Sequence, residues 1–172
     1  FMTLDDGSIK ALKNNRVKEL LSMLEEINGK VIIWATYRHN IREITKVLKE
    51  RYGDQYVESF YGGTQDKVRQ TIVDTFQDPS SDLTYLVANP KTGGFGLNLF
   101  AANTMVYYSN SYDLEVRLQS EDRIHRIGQK NTCTYIDMIT EGTVDDKIVK
   151  SLRNKINIAS IIMGEDLKKW LI

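Results

Sequence analysis

Lys30-Val31-Ile32-Ile33-Trp34-Ala35 is an unbroken apolar run behind a single lysine. Three consecutive β-branched residues favour an extended chain, and no polar residue alternates with them to leave one face for water. The run predicts a strand over Val31 to Ala35 buried on both faces. Such a strand belongs in a parallel sheet covered by helices on each side. The flanking sequence supplies them. Before it, Leu12, Val17, Leu20, Leu21 and Leu24 recur at helical spacing. They predict an amphipathic helix over Ile9 to Ile27, stopped by Asn28-Gly29. After it, Ile41 to Leu48 reads as a helix with Arg42, Lys46 and Lys49 on the wet side.

The same alternation continues. Strands are predicted at Tyr56 to Tyr61, Leu83 to Ala88, Thr104 to Tyr108 and Thr132 to Ile139. Between them, Lys67 to Phe76 is predicted helical, with Thr64 at its N-cap. Leu114 to Ile127 is predicted helical between an Asp113 N-cap and a Gly128 C-terminal cap. Glu141-Gly142 turns the chain into a long helix from about Thr143, where Asp145 and Asp146 suit the N-terminus. Ile156 to Ile172 is expected to be helical too, with a break at Gly164. In parallel α/β sheets, ligands sit beyond the carboxyl ends of strands. The polar or glycine-rich loops Thr36 to Asn40, Gly62-Gly63, Lys91 to Gly96 and Asn110 to Asp113 each follow a strand, so they are expected along one edge.

The 172 residues suit one domain with a proper core. Hydrophobic content of 41% and charged content of 27% are ordinary for a globular protein. A formal net charge of zero gives no global pull on nucleic acid, although a local basic stripe still binds it. Cys133 is the single cysteine, which excludes an internal disulfide and a cysteine metal cage. With only His39 and His125 besides, no metal site is expected. No apolar run approaches membrane-spanning length and no signal peptide is visible, so no membrane partner is expected. A reducing compartment, cytoplasmic or nuclear, fits. The start at Phe1 rather than Met reads as an excised fragment.

Two stretches carry chemistry. In Gln119-Ser-Glu-Asp-Arg123-Ile-His-Arg126-Ile-Gly128-Gln129, helical spacing puts Gln119, Arg123 and Arg126 on one face. Paired guanidiniums suit an anion such as phosphate. The competing reading is a salt-bridged surface helix, with Asp122 four before Arg126 and Arg117 four before Glu121. The second stretch, Thr92-Gly93-Gly94-Phe95-Gly96-Leu97-Asn98-Leu99, follows the third strand. Its glycines permit positive φ and close backbone approach to a phosphate or ribose, as would a plain flexible turn. It lacks the third glycine of the dinucleotide fingerprint, because Leu99 stands there.

Together, Gly-Gly-x-Gly-Leu-Asn-Leu and Gln-x-x-x-Arg-x-x-Arg-x-Gly-Gln resemble motifs V and VI of helicase superfamily two, most closely those of Swi/Snf-type DNA translocases. Lys30-Val-Ile-Ile-Trp-Ala-Thr resembles motif IV. Tyr61-Gly-Gly with Arg69 and Phe76, and Gly142-Thr-Val-Asp-Asp-Lys-Ile, resemble further segments. The chain departs from the pattern at Tyr112-Asp113-Leu114, where the family often has Trp-Asn-Pro, and at Thr36-Tyr37-Arg38, where it usually has Ser and Gln.

The resemblance implies a RecA-like second motor lobe over residues 1–140, including the N-terminal helix. Residues 141–172 would be a helical extension packing on the lobe or across to a first lobe of the same polypeptide. No Gly-x-x-x-x-Gly-Lys-Ser/Thr and no acidic Mg²⁺ motif occurs in the chain, so it would not hydrolyse ATP alone. It implies Arg126 as an arginine finger, Arg123 as a second γ-phosphate or interlobe contact, and Gln119 as their orienting or sensing partner. Gly94 and Gly96 would lie near the ribose. Tyr37, Arg38, Gly63, Lys91 and Thr92 would meet the nucleic-acid backbone, expected to be double-stranded DNA. ATP would be the cofactor, its Mg²⁺ held mainly by the first lobe, and the isolated domain is expected to be a monomer. Alternatives are a strand-separating RNA or DNA helicase lobe, or a stand-alone binding or regulatory module without ATPase role.

Overall fold

The run quoted above forms the central strand of a five-stranded sheet. A computed structural model of the chain describes residues 2–3, 9–10, 15–92 and 97–163. In chain order it contains β1 (Met2–Thr3), β2 (Ile9–Lys10), α1 (Arg16–Glu26), β3 (Lys30–Trp34), α2 (Arg38–Tyr52) and β4 (Val57–Phe60). There follow α3 (Asp66–Gln77), β5 (Tyr85–Ala88), β6 (Ala102–Tyr107), α4 (Leu114–Glu121), β7 (Thr134–Asp137) and α5 (Val144–Met163). β1 and β2 pair antiparallel. The main sheet runs β4-β5-β3-β6-β7, with every neighbouring pair parallel.

Alternate residues of β3 serve opposite faces. Val31 and Ile33 join Val17, Leu20 and Leu24 of α1 and Ile41, Ile44 and Leu48 of α2 in one cluster. Ile32 and Trp34 join Ile72, Val73 and Phe76 of α3, together with Ile124, in the other. The expected parallel sheet with helices on both faces is what forms. Lys30, at the mouth of β3, folds back onto α3. Its Nζ donates to the carbonyls of Phe76 at 2.7 Å and Asp78 at 2.9 Å and lies 5.4 Å from the Phe76 ring centroid. A lysine at a helix C-terminus satisfies carbonyls the helix leaves open. Burial nonetheless lowers the Lys30 pKa, with Asp78 opposing.

Several boundaries differ from expectation. The first helix does not begin at Ile9. Ile9 and Lys10 pair with Met2 and Thr3, and α1 starts after Asn15, whose carbonyl accepts from the Glu19 amide. Asparagine competes for backbone hydrogen bonds and favours helix ends over interiors. Thr64 is not the cap of α3. Its hydroxyl accepts from the Tyr61 amide, and Gln65 holds the cap position. α2 extends past the predicted segment to Tyr52. Gly29 and Gly142 turn the chain at φ +92° and +73°, conformations that a Cβ disfavours. The Ile156 segment continues α5 rather than starting a new helix, and the expected break at Gly164 lies outside the described residues.

Phe76 is fully buried at the centre of the α3 face. Phe76→Ala should destabilise the chain by about 3–5 kcal/mol. A fall in the urea midpoint with unchanged slope is the expected reading.

Candidate functional site

The parallel sheet sends the ends of β3, β4, β5 and β6 to one edge, where the described residues of the loops singled out above, 36–40, 62–63, 91–92 and 110–113, follow their strands. Thr36 and Asn89, after β3 and β5, are tied by Asn89 Nδ2 donating to the Thr36 carbonyl at 2.7 Å. The Thr36 amide donates to Ser109 Oγ, after β6, at 2.8 Å. Tyr37 is 66% exposed and Arg38 is exposed. Arg38 and Arg42, one helical turn apart, both stand over the Tyr61 ring, with Cζ 4.8 and 5.7 Å from its centroid. Arg42 hydrogen-bonds to the Tyr61 hydroxyl and, helped by Arg38, holds its pKa below the ordinary phenol value. A Cβ on Gly63 would lie 3.4 Å from Tyr61 Cε2 and 3.8 Å from Arg38 Nη2. One on Gly62 would meet Thr92 Oγ1 at 3.9 Å. Arg38, Gly63 and Thr92 thus share one neighbourhood. Lys91 leans away from it, its Nζ 3.7 Å from Asp113. Arg42 joins the candidate residues through this ring, and its place four after Arg38 is the sequence signal that would find it.

The glutamine and arginine stretch is not one continuous helix. Asp113 caps α4 as expected, accepting from the Val116 amide at 3.3 Å, but α4 ends at Glu121. Two competing demands end it. The Leu99 amide donates to the Arg123 carbonyl at 3.0 Å, which ties the chain at this point to the segment before β6. Ile124 must also enter the core, where it is fully buried. The chain tightens instead into turns, with the Arg123 and Ile124 amides reaching only three residues back. Gly128 is therefore not the cap of that helix; at φ +109° it closes the last of these turns. Gln129 Nε2 fastens the far end to the carbonyls of Phe100 at 3.1 Å and Ala102 at 2.8 Å.

The three predicted side chains end in different environments. Gln119 is exposed on α4, and its amide donates to Glu115 one turn back at 2.9 Å. Arg126 is exposed. Arg123 is only 6% exposed. Its Nη2 donates to the Pro90 carbonyl at 3.0 Å, and its Cζ lies 4.9 Å from the Trp34 ring centroid. Nη1 is buried with no hydrogen-bond partner among the described residues. Burial lowers the Arg123 pKa to about 10; Tyr107 opposes this and nearby Arg126 adds to it. So Arg123 and Arg126 feel each other, but Arg123 forms part of the lobe's interior. Gly94 and Gly96 lie outside the described residues. Among the described residues no cluster of His, Cys, Asp or Glu could hold a metal ion, and no helix is long and apolar enough to cross a membrane.

The competing reading of a salt-bridged surface helix put Arg117 at the surface beside Glu121. Arg117 is buried instead, at 7% exposure. Nε donates to Glu121 at 2.5 Å, and Nη1 to Asp137 at 2.5 Å and Asn110 at 3.1 Å. Its Cζ lies 3.5 Å from the Tyr107 ring centroid. Burial alone would lower its pKa, but Tyr107, Asp137 and Glu121 together raise it above the ordinary value.

The depressed pKa of Arg123 has a definite sign. A base whose folded pKa lies below its unfolded one makes folding less favourable while it is charged in the fold, and that handicap is relieved only as pH rises through about 10. Removing the buried charge should therefore help the fold at neutral pH. Arg123→Met is expected to leave stability unchanged or raise it by about 1 kcal/mol. Chemical denaturation at pH 7 checks this, and a loss of several kcal/mol would contradict it.

The sequence profile of the helicase conserved C-terminal domain matches residues 12–128. The chain is 35% identical over 153 residues to the ATP-dependent helicase fft2 of Schizosaccharomyces pombe, a stretch covering 89% of this chain and 11% of that protein. It is 30% identical over 165 residues to the ATP-dependent helicase FUN30 of Saccharomyces cerevisiae, covering 96% of this chain and 14% of that one. It thus spans less than a fifth of either relative. The crystal structure of the C-terminal part of the Fun30 ATPase domain superposes with a TM-score of 0.72 at 27% identity, over 80% of this chain and 45% of that chain. With its five-stranded parallel sheet, the chain belongs to the helicase conserved C-terminal domain family and has the RecA-like fold seen in the C-terminal part of the Fun30 ATPase domain.

Proposed function

We propose that this lobe works as the second half of an ATP-driven double-stranded DNA translocase, presenting Arg126 to ATP held by a first lobe of the same polypeptide. The observation that carries this reading is an exposed arginine on an anchored segment. Arg126 faces solvent, yet Ile124 beside it is fully buried, the Arg123 carbonyl is bonded to Leu99, and Gln129 is bonded to Phe100 and Ala102. A donor that meets a phosphate from outside its own lobe must be free at its tip and fixed at its base. Phosphoryl transfer spreads negative charge over the γ-phosphoryl oxygens, and a preplaced guanidinium is worth on the order of 10³–10⁵ in rate. The phosphate charge would be neutralised by Mg²⁺ held mainly by the first lobe. This lobe's own contribution is guanidinium donors.

Arg123 takes a narrower role than a free phosphate contact. Its guanidinium steadies the segment against Pro90 and Trp34, while Nη1 keeps one donor unused. Gln119 lies on the exposed face of α4 with its amide turned to Glu115, so its nucleotide contact requires that bond to break. Gly94 and Gly96 complete the nucleotide side. Tyr37, Arg38, Gly63, Lys91 and Thr92, joined by Arg42, form the nucleic-acid edge. Contacts there are to the phosphate backbone and independent of sequence. In this reading residues 1–140 make up the lobe, and 141–172 a helical extension that would pack on it or reach across to the first lobe.

In the whole polypeptide, Arg126→Ala should cut ATP turnover by more than tenfold without changing its melting temperature; unchanged turnover removes the finger. The lobe by itself should hydrolyse no ATP, and steady turnover by the pure domain would sink the two-lobe reading. Replacing Arg38 and Arg42 by alanine should weaken binding equally on unrelated duplex sequences. Each should lower the slope of log affinity against log salt by about 1.

A further inference from the structure

α4 is attached to the lobe differently from its neighbours. α1, α2 and α3 each bury aliphatic or aromatic side chains. The buried residues of α4 are Arg117, Ser120 and Glu121. They meet the sheet through directional contacts. Arg117 joins Glu121 on its own helix, Asp137 at the end of β7 and Asn110 after β6. Asn110 Nδ2 closes the ring by donating to Asp137 at 2.7 Å. Ser120 Oγ donates to the Arg117 carbonyl at 2.7 Å and lies 2.8 Å from the Tyr107 hydroxyl. The Tyr107 ring supports the guanidinium from below.

Apolar contact resists separation but tolerates sliding and rotation, whereas a forked guanidinium between two carboxylates fixes direction. Buried ion clusters are also poor stabilisers: apolar replacements of similar volume are often neutral or better. A polar attachment on this one helix is therefore better understood as setting orientation than as adding stability. Glu121, the last residue of α4, is one of the two carboxylates, and the Arg126 segment departs from it directly.

We propose that Arg117 is a positioning residue for Arg126: its buried cluster with Glu121, Asp137 and Asn110 sets the direction in which α4 launches the arginine segment. The inference rests on the finger reading of Arg126. It gives the two carboxylates and Asn110 the same task, although none of them touches nucleotide.

The test uses the whole polypeptide in five variants: the apolar triple Arg117→Met, Glu121→Leu, Asp137→Leu; the conservative Arg117→Lys; Arg126→Ala; and each of the first two combined with Arg126→Ala. Melting temperature, turnover per folded molecule and KM for ATP are measured. The triple should melt within a few degrees of wild type, keep its KM and lose more than tenfold in kcat. Arg117→Lys keeps the charge but not the fork, and should lose several-fold in kcat at unchanged KM. In the Arg126→Ala background neither should lower kcat further, because a residue acting through Arg126 has nothing left to position. Wild-type kcat in the folded triple and in Arg117→Lys would overturn the proposal, as would losses that multiply with that of Arg126→Ala. If the triple fails to fold, Arg117→Lys and its combination with Arg126→Ala decide alone. Wild-type turnover in Arg126→Ala by itself would instead retire the finger reading, so the two failures are distinguishable.

Discussion

A sheet that is parallel throughout and covered on both faces has only one place to put its variable loops. Every strand of the order β4-β5-β3-β6-β7 points the same way, so the turns after β3, β4, β5 and β6 meet along a single edge. The apolar core on each side fixes the strands. The edge is then free to carry exposed arginines, a half-buried tyrosine and glycines without loss of stability. Residues distant in sequence, such as Thr36, Asn89 and Ser109, become hydrogen-bond partners there because the topology leaves their backbones nowhere else to go.

Within that frame, helices are held in two ways. α1, α2, α3 and α5 use apolar stripes, whose spacing matters more than the identity of any one residue. α4 uses charge, and identity is then everything: one arginine, two carboxylates and one amide share a site with little spare capacity. Removing Arg117 alone would leave the buried Glu121 and the half-buried Asp137 without their shared cation, a loss that no repacking of neighbours relieves. The element leading to the arginine segment is thus the one whose placement depends on specific partners.

This difference explains what was legible in the sequence. Apolar runs marked the three inner strands β3, β5 and β6 to within a few residues, because burial on both faces writes itself into composition, whereas the edge strands β4 and β7 were legible from β-branched and aromatic residues between turn signals. The apolar helical stripes of α1, α2 and α3 were equally plain. Asp113 was readable as a cap because its chemistry is local. The end of α4 was not, since helical spacing from Gln119 to Arg126 persists in the sequence whether or not Leu99 takes the Arg123 carbonyl. Arg117 with Glu121 four later is also the commonest pattern of a solvated helix. Its burial depends on Asn110 and Asp137, 7 and 20 residues away, and no local pattern carries that information.

The two buried arginines make the same point from opposite sides. Arg117 is compensated by carboxylates and raised in pKa; Arg123 is left with a carbonyl and a ring, one donor unpaired, and is lowered. A fold optimised for stability alone would supply Arg123 with an acid or replace it with an apolar residue. A carboxylate there would neutralise the field that Arg123 and Arg126 jointly project, and an apolar side chain would lose the bond that ties the segment to Pro90. An uncompensated positive charge in the wall beside Arg126 is costly to bury, and under the proposed role of Arg126 it would add to the field that an incoming anion meets.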